Sequence, residues 1–162
     1  MTTADERYQE FMDRCVNTED KPPGTTRLDG GPARRREANR SRNQSEYHTG
    51  AARDNLEGRA PLMAIREGYY VMMHKANEAL ALAGFKPRNH ECTLLGIRGV
   101  FNAPGLADML RRAYEERRNV DYFIDPENPE LAEFAGPESF IEETVKQFVK
   151  QVDELIEDEG LR

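Results

Sequence analysis

Between residues 140 and 156, Phe140, Ile141, Val145, Phe148, Val152, Leu155 and Ile156 recur at the three- and four-residue spacing of one helix face. A strand would need alternation with a period of two, which this stretch lacks. The stripe therefore predicts an amphipathic helix that must be covered by other helices. Pro137 and Glu138 suit its first turn: the proline ring presets φ, and the carboxylate meets the positive end of the helix dipole.

Covering helices are easy to find upstream. Leu62, Ile65, Tyr69, Met72, Met73, Ala76, Leu80 and Ala83 share helical spacing between a starting Pro61 and a stopping Gly84. Lys86-Pro87 reads as a connection. Asn89 can cap a helix running to about residue 101 with Thr93, Leu94, Ile97, Val100 and Phe101 on it. Asn102-Ala103-Pro104-Gly105 breaks the chain, and Leu106, Met109, Leu110, Ala113 and Tyr114 then face one side of a helix ending near Val120. Residues 121–136, with Pro126, Pro129 and Gly136, read as a loop with one turn at 131–135. Residues 4–16 predict a short helix with Tyr8, Phe11, Met12 and Cys15 on one side, and residues 46–57 a weaker one ended by Gly58. No alternating run is long enough for a strand. The expected fold is an all-α antiparallel bundle of four or five helices.

Residues 17–45 contain Pro22-Pro23-Gly24, Gly30-Gly31-Pro32 and a single large aliphatic residue, Leu28. Too little apolar surface is available there to offset chain entropy, so a flexible arm (1–45) preceding a helical domain (46–162) is expected. Arg34, Arg35, Arg36, Arg40 and Arg42 make a basic cluster within it, read as solvated rather than as a nucleic-acid contact.

The formal net charge is -7. Residues 125–162, with 12 acidic and 3 basic side chains, account for more than all of it, the rest of the chain being slightly basic. No apolar run approaches the ~20 residues needed to span a bilayer, so no membrane association is expected. Cys15 and Cys92 have no zinc or redox spacing and read as reduced thiols in a cytoplasmic protein. His48, His74 and His90 form no ligand motif, and no metal or cofactor is implied.

Tyr69, Tyr70, Met72, His74, Ala76, Ala79, Leu80, Gly84 and His90 follow a pattern YYxMxHxAxxAL…G…H. This segment resembles the HEPN family (higher eukaryotes and prokaryotes nucleotide-binding), in its small prokaryotic branch. The later LADMLRRAYEERRNVDYF is similar to the family's next helix, which ends in an arginine followed by Ala-Asp-Tyr; here Arg117 or Arg118 precedes Val120-Asp121-Tyr122. The resemblance covers roughly residues 46–156. It implies a HEPN-like bundle that pairs as a homodimer. It further implies an activity as a metal-independent ribonuclease, often a toxin beside a nucleotidyltransferase antitoxin, or binding of RNA, nucleotides or partners without cutting.

The family's nuclease motif is an arginine, often with a polar neighbour, and a histidine four to six residues on. RNA cleavage without metal needs a proton-exchanging group near the 2′-hydroxyl and a cation on the phosphorane oxygens, which histidine and arginine supply. Arg118-Asn119 fits the start, but no histidine follows. Asp121 cannot replace it, because an exposed carboxylate with a pKa near ~4 is a weak base at neutral pH. Arg42-Asn43…His48 meets the spacing but precedes the expected bundle, and reads as coincidence.

Tyr70 and His74 are four apart and share a helix face, with Arg66 one turn earlier. His74 reads as a hydrogen-bonded structural group, His90 as a group near a helix start, and the Tyr69 side of the helix as a subunit interface. The favoured reading is a dimer whose cleft binds RNA, nucleotide or a nucleotidyltransferase-type partner through Arg117, Arg118, Asn119, Asp121, Arg66 and Tyr70, with Tyr122 closing it. The alternatives are an active ribonuclease, in which Arg117 and Arg118 stabilise the phosphorane and His74 or His90 moves protons, and a structural adaptor docking through its acidic last helix.

Overall fold

The computed structural model describes residues 2–58, 60–123 and 136–162, with the side chains of Tyr122 and Phe123 outside that description. The loop expected over 121–136, with its turn at 131–135, lies almost wholly outside the described residues; α5 already extends through residue 123.

The protein is mostly helical. Helix α1 (Ala4–Phe11) starts in a capping box, in which Thr3 accepts from the Glu6 amide and Glu6 accepts from the Thr3 amide. It continues as a π-helical segment over Met12–Val16. Then follow strand β1 (Thr25–Arg27), α2 (Gly31–Glu57), α3 (Met63–Leu82), strand β2 (Phe85–Pro87), α4 (His90–Val100) and α5 (Pro104–Phe123). The chain ends in α6 (Pro137–Ser139), a π-helical segment over Phe140–Val145, and α7 (Lys146–Asp158).

Helix α3 is the axis of the bundle, with α2, α4, α5 and α7 all packed on it. Residues Ala64, Ile65, Tyr69, Val71, Met72, Ala76, Ala79, Leu80 and Ala81 are buried, so α3 is covered on more than one side. The Tyr69 side was expected to wait for a second subunit. Instead Tyr69 is 1% exposed within the chain, against His90 of α4 and Tyr114 of α5. The C-terminal stripe is seated as the spacing predicts: Phe148, Val152 and Ile156 are fully buried, and Phe140, Ile141 and Val145 nearly so. Burying each such side chain is worth about 1.5–3 kcal/mol, which is what holds the last helix on α3. Asn89 caps α4 as expected, accepting from the Cys92 amide.

Three expectations are overturned. Residues 17–45 are not an irregular arm, because α2 begins at Gly31 and runs unbroken to Glu57. Pro32 stands in its first turn, and no glycine or proline interrupts residues 33–49. Its inner face is small rather than large: Ala38, Ser41, Ser45 and Ala52 are buried, letting α2 approach α3 closely, and Ser45 Oγ donates to the Val71 carbonyl at 3.0 Å. Secondly, β1 and β2 form a small antiparallel sheet, with Thr26 opposite Lys86. Thirdly, Cys15 and Cys92 are joined in a disulfide, not reduced. The bond ties the end of the first helical segment to the start of α4, and it removes the cysteine argument for a cytoplasmic location.

Candidate functional site

Four helices deliver side chains to one cluster. Helix α3 presents Arg66, Tyr69, Tyr70 and His74, which the three- and four-residue steps of a helix place along one side. Helix α5 presents Tyr114, Arg117 and Asp121 in the same way. Helix α4 contributes His90 from its first turn, and α2 contributes His48.

Arg117 is at the centre. Its guanidinium carbon lies 5.3 Å from the Tyr69 ring, 5.2 Å from the Tyr70 ring and 6.0 Å from the Tyr114 ring. Aromatic faces attract a cation by their quadrupole, more so where water is scarce. Arg117 Nε also donates to Asp121 Oδ2 at 3.0 Å. Burial works against the charge of Arg117, and the surrounding Tyr70, Asp121 and Tyr69 oxygens more than compensate, so its proton is held more firmly than usual. Arg66 completes the group, with Nε 3.9 Å from Asp121 Oδ1 and its guanidinium 5.9 Å from the Tyr70 ring.

Two imidazole groups flank this centre. His90 stacks on Tyr114 with ring centres 3.9 Å apart, and the Tyr69 hydroxyl is 2.7 Å from His90 Nδ1. Burial, aided by the Arg117 charge, lowers the His90 pKa to about 4. Burial also pushes the Tyr69 phenol up, with Arg117 only partly opposing it. On the other flank His48 and His74 are stacked 5.4 Å apart and nearly parallel, and the Tyr70 ring lies 5.0 Å from His48. His48 Nδ1 is 2.5 Å from Glu67 Oε2. His74 is lowered to about 4 by burial first, then by His48 and Arg40. Both His74 and His90 are therefore neutral at pH 7.

Of the residues singled out from sequence, Arg66, Tyr70, Arg117 and Asp121 come together, and His74 joins them through His48. Arg118 is exposed and Asn119 half-buried, and neither enters the network among the described residues. The Tyr122 side chain lies outside the described residues. Sequence reasoning missed Tyr114 and Glu67, and it set His48 aside. His48 does belong to the cluster, but Arg42 is bonded to Asn39 and stands six residues away on the same helix, roughly 9 Å along its axis. The signal that was available was Tyr114 three residues before Arg117, the spacing of neighbours on a helix.

Chemically, Arg66 and Arg117 form a cationic pair held apart by one carboxylate, with aromatic faces around them. Such a group can exchange Asp121 for a phosphate oxygen, since guanidinium forks accept either anion. Among the described residues no group of three or more histidine, cysteine, aspartate or glutamate side chains is placed to hold a metal ion, and no helix is long and apolar enough to cross a membrane. No family model, no curated protein and no solved structure matches the chain.

Proposed function

We propose that the chain is a HEPN-like helical protein that acts as a homodimer and binds RNA without cutting it, using Arg66, Arg117 and the neighbouring Arg118 to hold phosphate. The observation that carries this reading is the convergence of Arg66, Tyr70, Arg117 and Asp121, chosen from two separate sequence segments, on one charged and aromatic cluster. Retained chemistry favours binding over cleavage. The imidazoles of His74 and His90 are neutral at pH 7 and half-buried, so neither supplies a ready acid, and Asp121 is bonded to Arg117.

A second reading has one observation in its favour. His48 is paired to Glu67 at 2.5 Å with its ring still partly exposed, the arrangement that orients an imidazole for proton transfer. An active ribonuclease would use this pair. A nucleotidyltransferase-type partner or a nucleotide ligand belongs to the same proposal and is tested by co-purification and by competition.

Incubating the protein with RNA in EDTA separates the readings. Salt-sensitive binding with intact RNA, weakened by Arg66→Gln and Arg118→Gln, is expected. Cyclic-phosphate ends that vanish in His48→Ala would instead establish the enzyme. A protein that neither binds nor cuts RNA leaves the adaptor role.

A further inference from the structure

The outer face of α2 carries a second feature, unused by the Arg117 cluster. Arg36, Arg40, Asn43 and Tyr47 follow one another at four, three and four residues, so they share one side of the helix over roughly 17 Å. That side is turned away from the buried Ala38, Ser41, Ser45 and Ala52. It borders a shallow groove of about 750 Å³ that ends at His48. Tyr47 is 73% exposed, and it and Tyr8 are the large apolar side chains that stand out in solvent among the described residues. Among the described residues neither Arg36 nor Arg40 meets a carboxylate, whereas Arg66 and Arg117 are both held by Asp121. Of the nearest acids, Glu37 is paired with Lys86 at 3.3 Å and Glu67 with His48, leaving Glu46 exposed beside Tyr47.

We infer that this face of α2 is a track for single-stranded nucleic acid that leads into the cluster. Arg36 and Arg40 take two phosphates with no ion pair to break, Asn43 offers its amide, and Tyr47 provides a ring on which an unpaired base stacks. Base stacking on an exposed aromatic at the end of a basic stripe is a sequence-tolerant way to hold a single strand. A duplex has no free base face to offer, and an acidic peptide would use the arginines but leave Tyr47 idle. His48 joins the track to the site, because its ring stands between the groove and the Tyr70 ring, 5.0 Å away. The inference rests on the reading that the chain binds RNA, and gives the strand its path.

The test is fluorescence anisotropy with a labelled twelve-residue oligouridylate and the matching oligothymidylate, titrated across salt. Arg36→Gln/Arg40→Gln is expected to weaken oligouridylate binding and to flatten the log–log salt slope by about 1.4. Tyr47→Ala is expected to cost about tenfold and Tyr47→Phe to restore it. All four positions are exposed, so circular dichroism should not change. Equal loss on both oligomers supports a track that reads base and phosphate; loss on oligouridylate alone supports one that also senses the 2′-hydroxyl. If Arg66→Gln abolishes binding while the α2 variants bind like wild type, the track is wrong and the RNA reading stands. If wild type binds neither oligomer, both fail. If the α2 variants alter subunit mass in sedimentation instead of oligomer affinity, the face is a protein interface and the track is again wrong.

Discussion

The Tyr69 hydroxyl lies 2.7 Å from Nδ1 of His90, joining the first turn of α4 to the middle of α3. With His90 lowered to about 4 and Tyr69 pushed up, both are neutral at pH 7; the His90 tautomer sets which of the two donates, and the phenol also lies 3.3 Å from Met73 Sδ. The other ring nitrogen, Nε2, is buried and has no hydrogen-bond partner among the described residues. Protonating the ring would put a second positive charge in a half-buried place beside Arg117. The site therefore disfavours the charged imidazole through burial and the Arg117 charge, whereas the hydrogen bond itself survives protonation, because an imidazolium Nδ1–H donates to the phenol oxygen.

Stability should therefore depend on pH in a defined window. The folded pKa values of His74 and His90, about 4, lie below the ordinary value of 6.5, so the unfolded chain binds more protons between those limits. Stabilisation from the neutral rings is complete above pH 6.5 and is lost as the pH falls towards 4. Because both rings are partly exposed, solvent screening reduces the effect to about 1–2 kcal/mol apiece. Urea denaturation of wild type and of a His74→Gln/His90→Gln variant at pH 7 and 5 checks this. The wild type should lose more stability than the variant over that interval, and parallel losses would show that these rings do not govern the response.

A buried ion network should be hard to break from one side. Lys75 is 5% and Glu78 2% exposed. Lys75 Nζ lies 2.8 Å from Glu78 Oε2 and 2.5 Å from Asp153 Oδ1, and Arg162 reaches Glu78 Oε1 at 3.1 Å. The network ties α3 to α7 and to the last residue of the chain. Lys75→Met leaves a buried carboxylate with only Arg162 beside it, and about 3–5 kcal/mol should be lost. Lys75→Met/Glu78→Leu removes both charges and should recover most of that. If the double variant is as unstable as the single one, packing and not charge explains the loss.

How legible this was depended on the size of the side chains involved. The C-terminal stripe was readable because Phe148, Val152 and Ile156 are large and apolar at helical spacing, and all are fully buried. Helix α2 was not, because Ala38, Ser41, Ser45 and Ala52 carry the same periodicity in residues too small to register as a hydrophobic face. The strands were missed because each is three residues long and is stabilised only by its partner, 58 or more residues away in sequence. Within the site, Arg66 with Tyr70 and Arg117 with Asp121 are one helical turn apart and could be paired by counting. His90 meeting Tyr69, and His48 meeting Tyr70, are set by how separate helices cross, which spacing along one helix does not reveal.

The Cys15–Cys92 bond closes a loop with a sequence separation of 77 residues, and both cysteines are buried. Constraining so long a loop in the unfolded chain is worth roughly 4 kcal/mol in the chain-entropy account. Thiol titration of the unfolded protein should find no free thiol before reduction and two after. A Cys15→Ala/Cys92→Ala variant should unfold at lower denaturant than the oxidised wild type. Coincident curves would show that the bond contributes nothing to stability.

Gly68 provides a test of how the last helix is seated. An added Cβ there would stand 2.6 Å from Ile141 Cδ1, 2.8 Å from Phe140 Cε1 and 3.1 Å from Val145 Cγ2, all on the C-terminal helical segment. Replacing a helical glycine by alanine ordinarily stabilises by up to about 1 kcal/mol. Here Phe140 and Ile141 are themselves 3% and 6% exposed and have little room to retreat. Overpacking should win, with a net loss of about 1–3 kcal/mol for Gly68→Ala. Gly50 supplies the contrast, since it lies within α2 and an added Cβ there meets nothing within 4 Å. Gly50→Ala should therefore gain the ordinary helix-propensity benefit. Urea denaturation of the two variants should move in opposite directions. A Gly68→Ala protein as stable as Gly50→Ala would mean that Phe140 and Ile141 do not rest on α3 at this point, and that the last helix is held by Phe148, Val152 and Ile156 alone.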